Sequence, residues 1–161
     1  MKLPKVTAAA ALLFPLVASP VQAQAQQSCA AHYLIAVPGG GNTAEGIPDY
    51  VPHGGNVFMT GMLTRLGTGG EIQPLWVSYT STPFATSEYE KSKAGGLKRA
   101  RNTVSRLANA CPNAKFSFTG YSLGADIAAT ITSDIAAGRG PIAPERVSGV
   151  ALFANPHQGG N

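Results

Sequence analysis

Residues 115–129 read KFSFTGYSLGADIAA. Residues 115–119 alternate polar and apolar side chains and are rich in Phe, which predicts a strand. Gly120-Tyr121-Ser122-Leu123-Gly124 follows at once. Residues 125–137 are rich in Ala and Ile, with Asp126 in the first turn, which predicts a buried helix. A strand, G-x-S-x-G and a helix in succession are the setting of a nucleophile elbow. A tight turn between the two elements strains the serine backbone and lifts its hydroxyl over the end of the sheet. Side chains at the flanking glycines would collide with the neighbouring strand and helix. The positive end of the helix dipole favours a developing oxyanion. Ser122 is therefore the candidate nucleophile; the plain alternative is a Gly-rich turn with an idle serine.

The chain around this stretch has 161 residues, one domain at most. Charged residues are few and glycine is abundant, which suits a compact exported α/β domain and excludes a disordered tail. Residues 1–25 are expected to be a signal peptide. Lys2 and Lys5 form a basic start, residues 6–17 are mostly apolar but too short to span a bilayer, and Val21-Gln22-Ala23 and Ala23-Gln24-Ala25 are small-x-small cleavage sites. Removing Lys2 and Lys5 leaves ten basic against eight acidic residues, a net charge of +2. That is too small to imply a nucleic-acid partner. No later segment is long and apolar enough for a membrane span. Export makes the two cysteines, Cys29 and Cys111, a disulfide candidate. Cys29 precedes the first strand and Cys111 the strand that leads into the elbow. If those strands are parallel neighbours, the cysteines lie side by side.

The mature chain, residues 26–161, alternates strand and helix. Strands are expected at 32–37, 72–79, 115–119 and 146–154. Helices are expected at 56–66, 87–110 and 125–137. Residues 38–52 form a Gly- and Pro-rich loop. This order implies a three-layer α/β/α fold with a parallel sheet, right-handed crossovers and helices on both faces. Leu97, Val104, Leu107 and Ala108 share one face of the long helix, within which Gly95-Gly96 allows close packing or a kink. The basic residues Lys91, Lys93, Lys98, Arg99, Arg101 and Arg106 read as a solvated face, with Glu88 and Glu90 pairing to Lys91 and Lys93 at i+3.

Residues 111–127, CPNAKFSFTGYSLGADI, resemble the cutinases and cutinase-like serine esterases, a compact α/β-hydrolase group. The family shows Cys-Pro, a short strand, then Gly-Tyr-Ser-Gln-Gly-Ala. Residues 36–46, AVPGGGNTAEG, look like the family's oxyanion loop. With the matching order of elements, the resemblance covers most of the mature chain. It implies an oxyanion hole in which the Leu123 N–H and a donor near Asn42 hold the charge. Leu123 stands where the family has Gln; a backbone N–H does not depend on that side chain.

The resemblance also implies a triad in the order Ser, acid, His, with both partners well beyond the strand that follows the elbow helix. Asp126 and Asp134 sit on that helix and Glu145 precedes the strand, so none is taken as the acid. His157 is the only histidine after Ser122 and is read as an exposed loop residue; His53 precedes the serine. The acid and histidine are expected beyond Asn161. The chain is expected to be C-terminally truncated and inactive alone. The expectation is a secreted, monomeric serine esterase forming an acyl-enzyme on Ser122, with an ester or lipid substrate, no cofactor and no metal site. The alternatives are a mycolyl-type envelope lipid esterase and a non-catalytic exported domain of the same fold.

Overall fold

The structure, a computed structural model, describes residues 29–54, 62–63, 72–82 and 85–159. The expected signal peptide lies outside them. So does most of the helix expected at 56–66, of which Met62 and Leu63 alone are described, both helical. Four parallel strands form one sheet in the order β2-β1-β3-β4: β1 His32–Val37, β2 Ile72–Trp76, β3 Lys115–Tyr121 and β4 Val147–Phe153. The two described helices are α1 Thr86–Ala110 and α2 Leu123–Ala136.

β1 runs HYLIAV through the middle of the sheet, and all but its first residue are buried. A central parallel strand is covered on both faces, so it reads as a continuous apolar run rather than an alternating one. Its Tyr33, Ile35 and Val37 join Phe116 and Phe118 of β3 on the face that receives α1 and α2. α2 meets them with Leu123, Ile127, Ile131 and Ile135, four residues apart and all at most 1% exposed. Each such side chain contributes about 1.5–3 kcal/mol when taken out of water. α1 adds Val104, Leu107 and Ala108, with Leu97 at the margin, as its periodicity predicts. Gly96 is the close-packing glycine of α1, since a Cβ there would lie 2.6 Å from the Ile127 side chain; at Gly95 nothing lies within 4 Å.

Trp76, which pairs in register with Ala36, is 5% exposed and belongs to the interior. α1 ends where Pro112 follows Cys111, and α2 is capped by Ala137 before Gly138, whose φ of 73° suits a residue without a Cβ.

Several boundaries differ from the sequence reading: α1 starts at Thr86 rather than residue 87, α2 runs Leu123–Ala136 rather than 125–137, β4 ends at Phe153 rather than residue 154, and three further shifts follow. β2 stops at Trp76 rather than residue 79: Val77 N still donates to Ala36 O at 2.8 Å, but residues 77–80 then leave the sheet. β3 extends to Tyr121, so the sheet carries the chain directly into the serine. β4 starts at Val147 because Pro144–Arg146 form a single 3₁₀ turn. Arg146 leaves that turn to donate to Cys111 O and Ala114 O and stacks on Phe116. Among the described strands β4 is an edge, and its Val150 is 46% exposed.

Cys29 and Cys111 form a disulfide, with their Cα atoms 5.6 Å apart. The physical reason is the one expected. β1 and β3 are parallel neighbours, so the residues leading into them start from the same end of the sheet.

The basic face of α1 is not merely solvated. Glu88 pairs with Lys91 at 2.9 Å as expected, but Lys93 pairs with Asp126 of α2 at 2.8 Å rather than with Glu90. Arg99 and Arg106 both grip Asp49 in the loop after β1, at 2.8 and 3.1 Å. Arg101 pairs with Asp134. Four of the six basic residues thus fasten α1 to its neighbours, because the carboxylates come from elements that only folding brings near.

Candidate active site

Ser122 sits at the junction of β3 and α2 with φ 52° and ψ −122°. A positive φ is disfavoured for any residue with a Cβ, and holding one costs about 1–3 kcal/mol. The neighbourhood enforces it. Ser122 N donates to Phe153 O of β4 at 2.9 Å, and Ser122 O accepts from Ala125 N and Asp126 N at 2.8 and 3.1 Å. A Cβ at Gly120 would lie 2.2 Å from Gly124 O, and one at Gly124 would lie 2.1 Å from Val37 O and 2.4 Å from Pro38 O. Both glycines are therefore obligatory: strand, helix and the end of β1 meet with no space for a side chain. The Ser122 hydroxyl and the Leu123 N–H have no hydrogen-bond partner among the described residues. The latter belongs to the first residue of α2, whose N–H groups have no acceptor within the helix.

The loop after β1 lies against this junction. A Cβ at Gly39 would meet Tyr121 at 2.9 Å and the Ser122 Cβ at 3.5 Å. The loop is pinned from the segment after β2, which the sequence reading did not single out. Tyr79 donates to Pro38 O at 2.6 Å, and burial pushes its phenol well above the ordinary tyrosine value. Gly41 N donates to Ser81 O at 2.9 Å, and Ser81 Oγ donates to Thr43 O at 2.8 Å. Asn42 itself is exposed and turned inward on the loop: its Nδ2 donates to Gly40 O at 2.8 Å and its backbone N–H to Gly39 O at 3.1 Å.

The three histidines are dispersed. His32 contacts Ser117 Oγ at 2.8 Å, and burial lowers its pKa. His53 contacts Thr43 Oγ1 at 2.8 Å. His157 is exposed, as expected, but is not idle: its Nε2 lies 3.3 Å from Asp126 Oδ2. Asp126 is 3% exposed and also accepts from Tyr89 Oη and Lys93 Nζ, each at 2.8 Å. Burial raises its carboxyl. The hydrogen bonds from Lys93 and Tyr89, with the charges of Lys93 and His157, outweigh that and leave it below the usual carboxylate value. Tyr89 is driven the other way, by burial and then by the carboxylate it serves. This four-residue group was not visible in the sequence, because its members come from α1, α2 and the turn after β4. Among the described residues, no group of three or more His, Cys, Asp or Glu is arranged to hold a metal ion. No described helix is long and apolar enough to cross a membrane.

A family model described as Cutinase matches residues 21–161. The chain belongs to the cutinase family. Among curated relatives, a carboxylesterase of Mycobacterium bovis is 29% identical over 120 residues, which is 74% of this chain and 49% of that protein. A cutinase of Coprinopsis cinerea is 36% identical over 64 residues, 40% of this chain and 30% of its own length. This cutinase-family chain thus spans about half the length of the mycobacterial relative and less of the fungal one. Two solved structures share the fold. The catalytic core domain of acetyl xylan esterase from Trichoderma reesei aligns with a TM-score of 0.61 at 17% identity, over 80% of this chain and 65% of that one. A cutinase-like protein from a Cryptococcus species aligns with a TM-score of 0.55 at 22% identity, over 81% and 56%.

Proposed function

We propose that residues 26–161 carry the nucleophile-bearing part of a secreted carboxylic ester hydrolase. The observation that carries this reading is the Ser122 backbone, held at positive φ between two glycines that admit no Cβ. Strain of this kind persists only where the surroundings over-determine it, and it concentrates at sites of chemistry. Ser122 Oγ attacks the ester carbonyl carbon. The charge on the carbonyl oxygen is met by the Leu123 N–H and by a donor from the Asn42 loop, once Asn42 releases Gly40. The alcohol leaves as the carbonyl re-forms, and water then cleaves the acyl-enzyme.

A histidine must take the serine proton and return it to the alcohol. The chain spans about half the length of the mycobacterial relative, and in this reading neither the base nor the acid is assigned to a described residue. Among the described residues no histidine is hydrogen-bonded to Ser122: His157 meets Asp126, His53 meets Thr43 and His32 meets Ser117. The substrate class is carboxylic esters, in keeping with relatives named carboxylesterase, cutinase and acetyl xylan esterase. Export is supported by the leader-like residues 1–25 and by the Cys29–Cys111 bridge, which suits an oxidising compartment.

The test is Ser122→Ala in the full-length protein. Wild type should hydrolyse p-nitrophenyl esters and take up a fluorophosphonate probe at Ser122. The variant should do neither while keeping its circular dichroism spectrum. Ester turnover retained by Ser122→Ala would end this reading.

A further inference from the structure

The turn at residues 154–158 leaves β4 beside the nucleophile and is fastened at both ends. At its start, Phe153 O accepts from Ser122 N, and Ala154 follows with φ 50°, a left-handed conformation unusual for alanine. Within it, Asn155 Oδ1 accepts from His157 N and Asn155 O from Gln158 N, both at 3.1 Å. At its far end, His157 Nε2 meets Asp126 Oδ2 at 3.3 Å. Asp126 stands one helical turn beyond Ser122. It is fixed from the opposite side by Tyr89 and Lys93 of α1. Those two donors already satisfy a buried carboxylate, so the contact from a side chain 67% exposed is not needed to keep Asp126 in place. Its effect runs the other way, from the buried carboxylate to the turn.

We propose that Asp126 is a positioning residue, which through His157 holds the 154–158 turn in place beside Ser122. Its consequence for kinetics rests on the ester-hydrolase reading; its consequence for the turn does not. A loosened turn would present a broader set of positions to the bound ester. The loss therefore falls on KM more than on kcat. The contact is an ion pair only when the imidazole is protonated. The charged groups facing it are Asp126 on α2 and, behind that carboxylate, Lys93 with the Tyr89 hydroxyl on α1.

The experiment compares wild type, Asp126→Asn, His157→Gln, the double variant and His157→Lys, all in the full-length protein. Amide hydrogen exchange at His157 and Gln158 reads the turn, and KM for a p-nitrophenyl ester reads its effect at Ser122. Each single variant should speed exchange there and raise KM about two- to fivefold, the range open to a partly exposed ion pair. The double variant should be no worse than the worse single, because both remove one contact. His157→Lys should recover most of the loss. If Asp126→Asn fails to fold, the two His157 variants still decide. Unchanged exchange in His157→Gln, or losses that add in the double variant, would overturn the proposal. Should wild type neither hydrolyse esters nor take the fluorophosphonate, the ester reading falls and the exchange measurements alone judge the turn.

Discussion

Gly124→Ala places the sharpest load on the elbow. The new Cβ would sit 2.1 Å from Val37 O, 2.4 Å from Pro38 O and 2.7 Å from the Val37 carbonyl carbon. Ordinary contact begins at 3.4 Å, so α2 and the end of β1 must part by more than an ångström. Neither can yield cheaply. The obstacles are backbone rather than side-chain tips, and β1 is held by hydrogen bonds to β2 on one side and β3 on the other. Overpacking costs about 1–3 kcal/mol where side chains can adjust, so about 3 kcal/mol is expected here. At roughly 3 °C per kcal/mol for a domain of this size, Tm should fall by about 10 °C. The displacement also moves Pro38 and Gly39 relative to Ser122, and an ångström of misplacement in a reactive site costs on the order of 10²-fold in rate. Thermal melts by circular dichroism and the rate of fluorophosphonate labelling measure the two effects. Gly95→Ala is the control: it lies in the interior of α1 with nothing within 4 Å, so it should stabilise by about 0.5–1 kcal/mol. A Gly124→Ala protein that melts within about 2 °C of wild type and labels at the wild-type rate would refute the packing argument for the elbow.

Two further outcomes are expected. Non-reducing peptide mapping of the exported protein should recover Cys29 cross-linked to Cys111. Reduction should destabilise it by roughly 4–5 kcal/mol on the chain-entropy model for a loop of this size, and two alkylatable thiols in the native protein would contradict the bridge. Asp126 and Asp134 are both held below the usual carboxylate value, Asp126 by Lys93 and Tyr89 against its burial, Asp134 chiefly by Arg139. A carboxylate depressed by folding contributes stability that is complete above its unfolded value, about pH 4, and is lost as pH falls through the folded one. Tm should therefore be flat from neutral pH down to that point and fall below it, with a shallower fall in Asp126→Asn; parallel acid limbs for the two proteins would count against this.

What could be read from the chain was what is local. Strand alternation ending in Gly-Tyr-Ser-Leu-Gly, followed by apolar residues four apart, leaves one way to connect a strand to a helix. That junction was legible in the sequence, as was the pairing of Glu88 with Lys91 one turn away. Two cysteines placed just ahead of two strands were enough to foresee their bridge, because parallel neighbours begin at the same end of a sheet. Apart from element ends, the misreadings were of partners distant in sequence. Residues 77–79 carry strand-like side chains, yet they leave the sheet and spend Tyr79 and Ser81 on the loop after β1. The basic stripe of α1 looked solvated because its carboxylates, Asp49, Asp126 and Asp134, lie 33 to 57 residues away. His157 looked idle for the same reason. Periodicity and turn chemistry act over a few residues, so the sequence by itself determined the elements, their order and the strained serine. Which charge meets which, how the loop after β1 is fastened, and what anchors the turn beside Ser122 depend on distances between elements, and only the packed tertiary structure decided those.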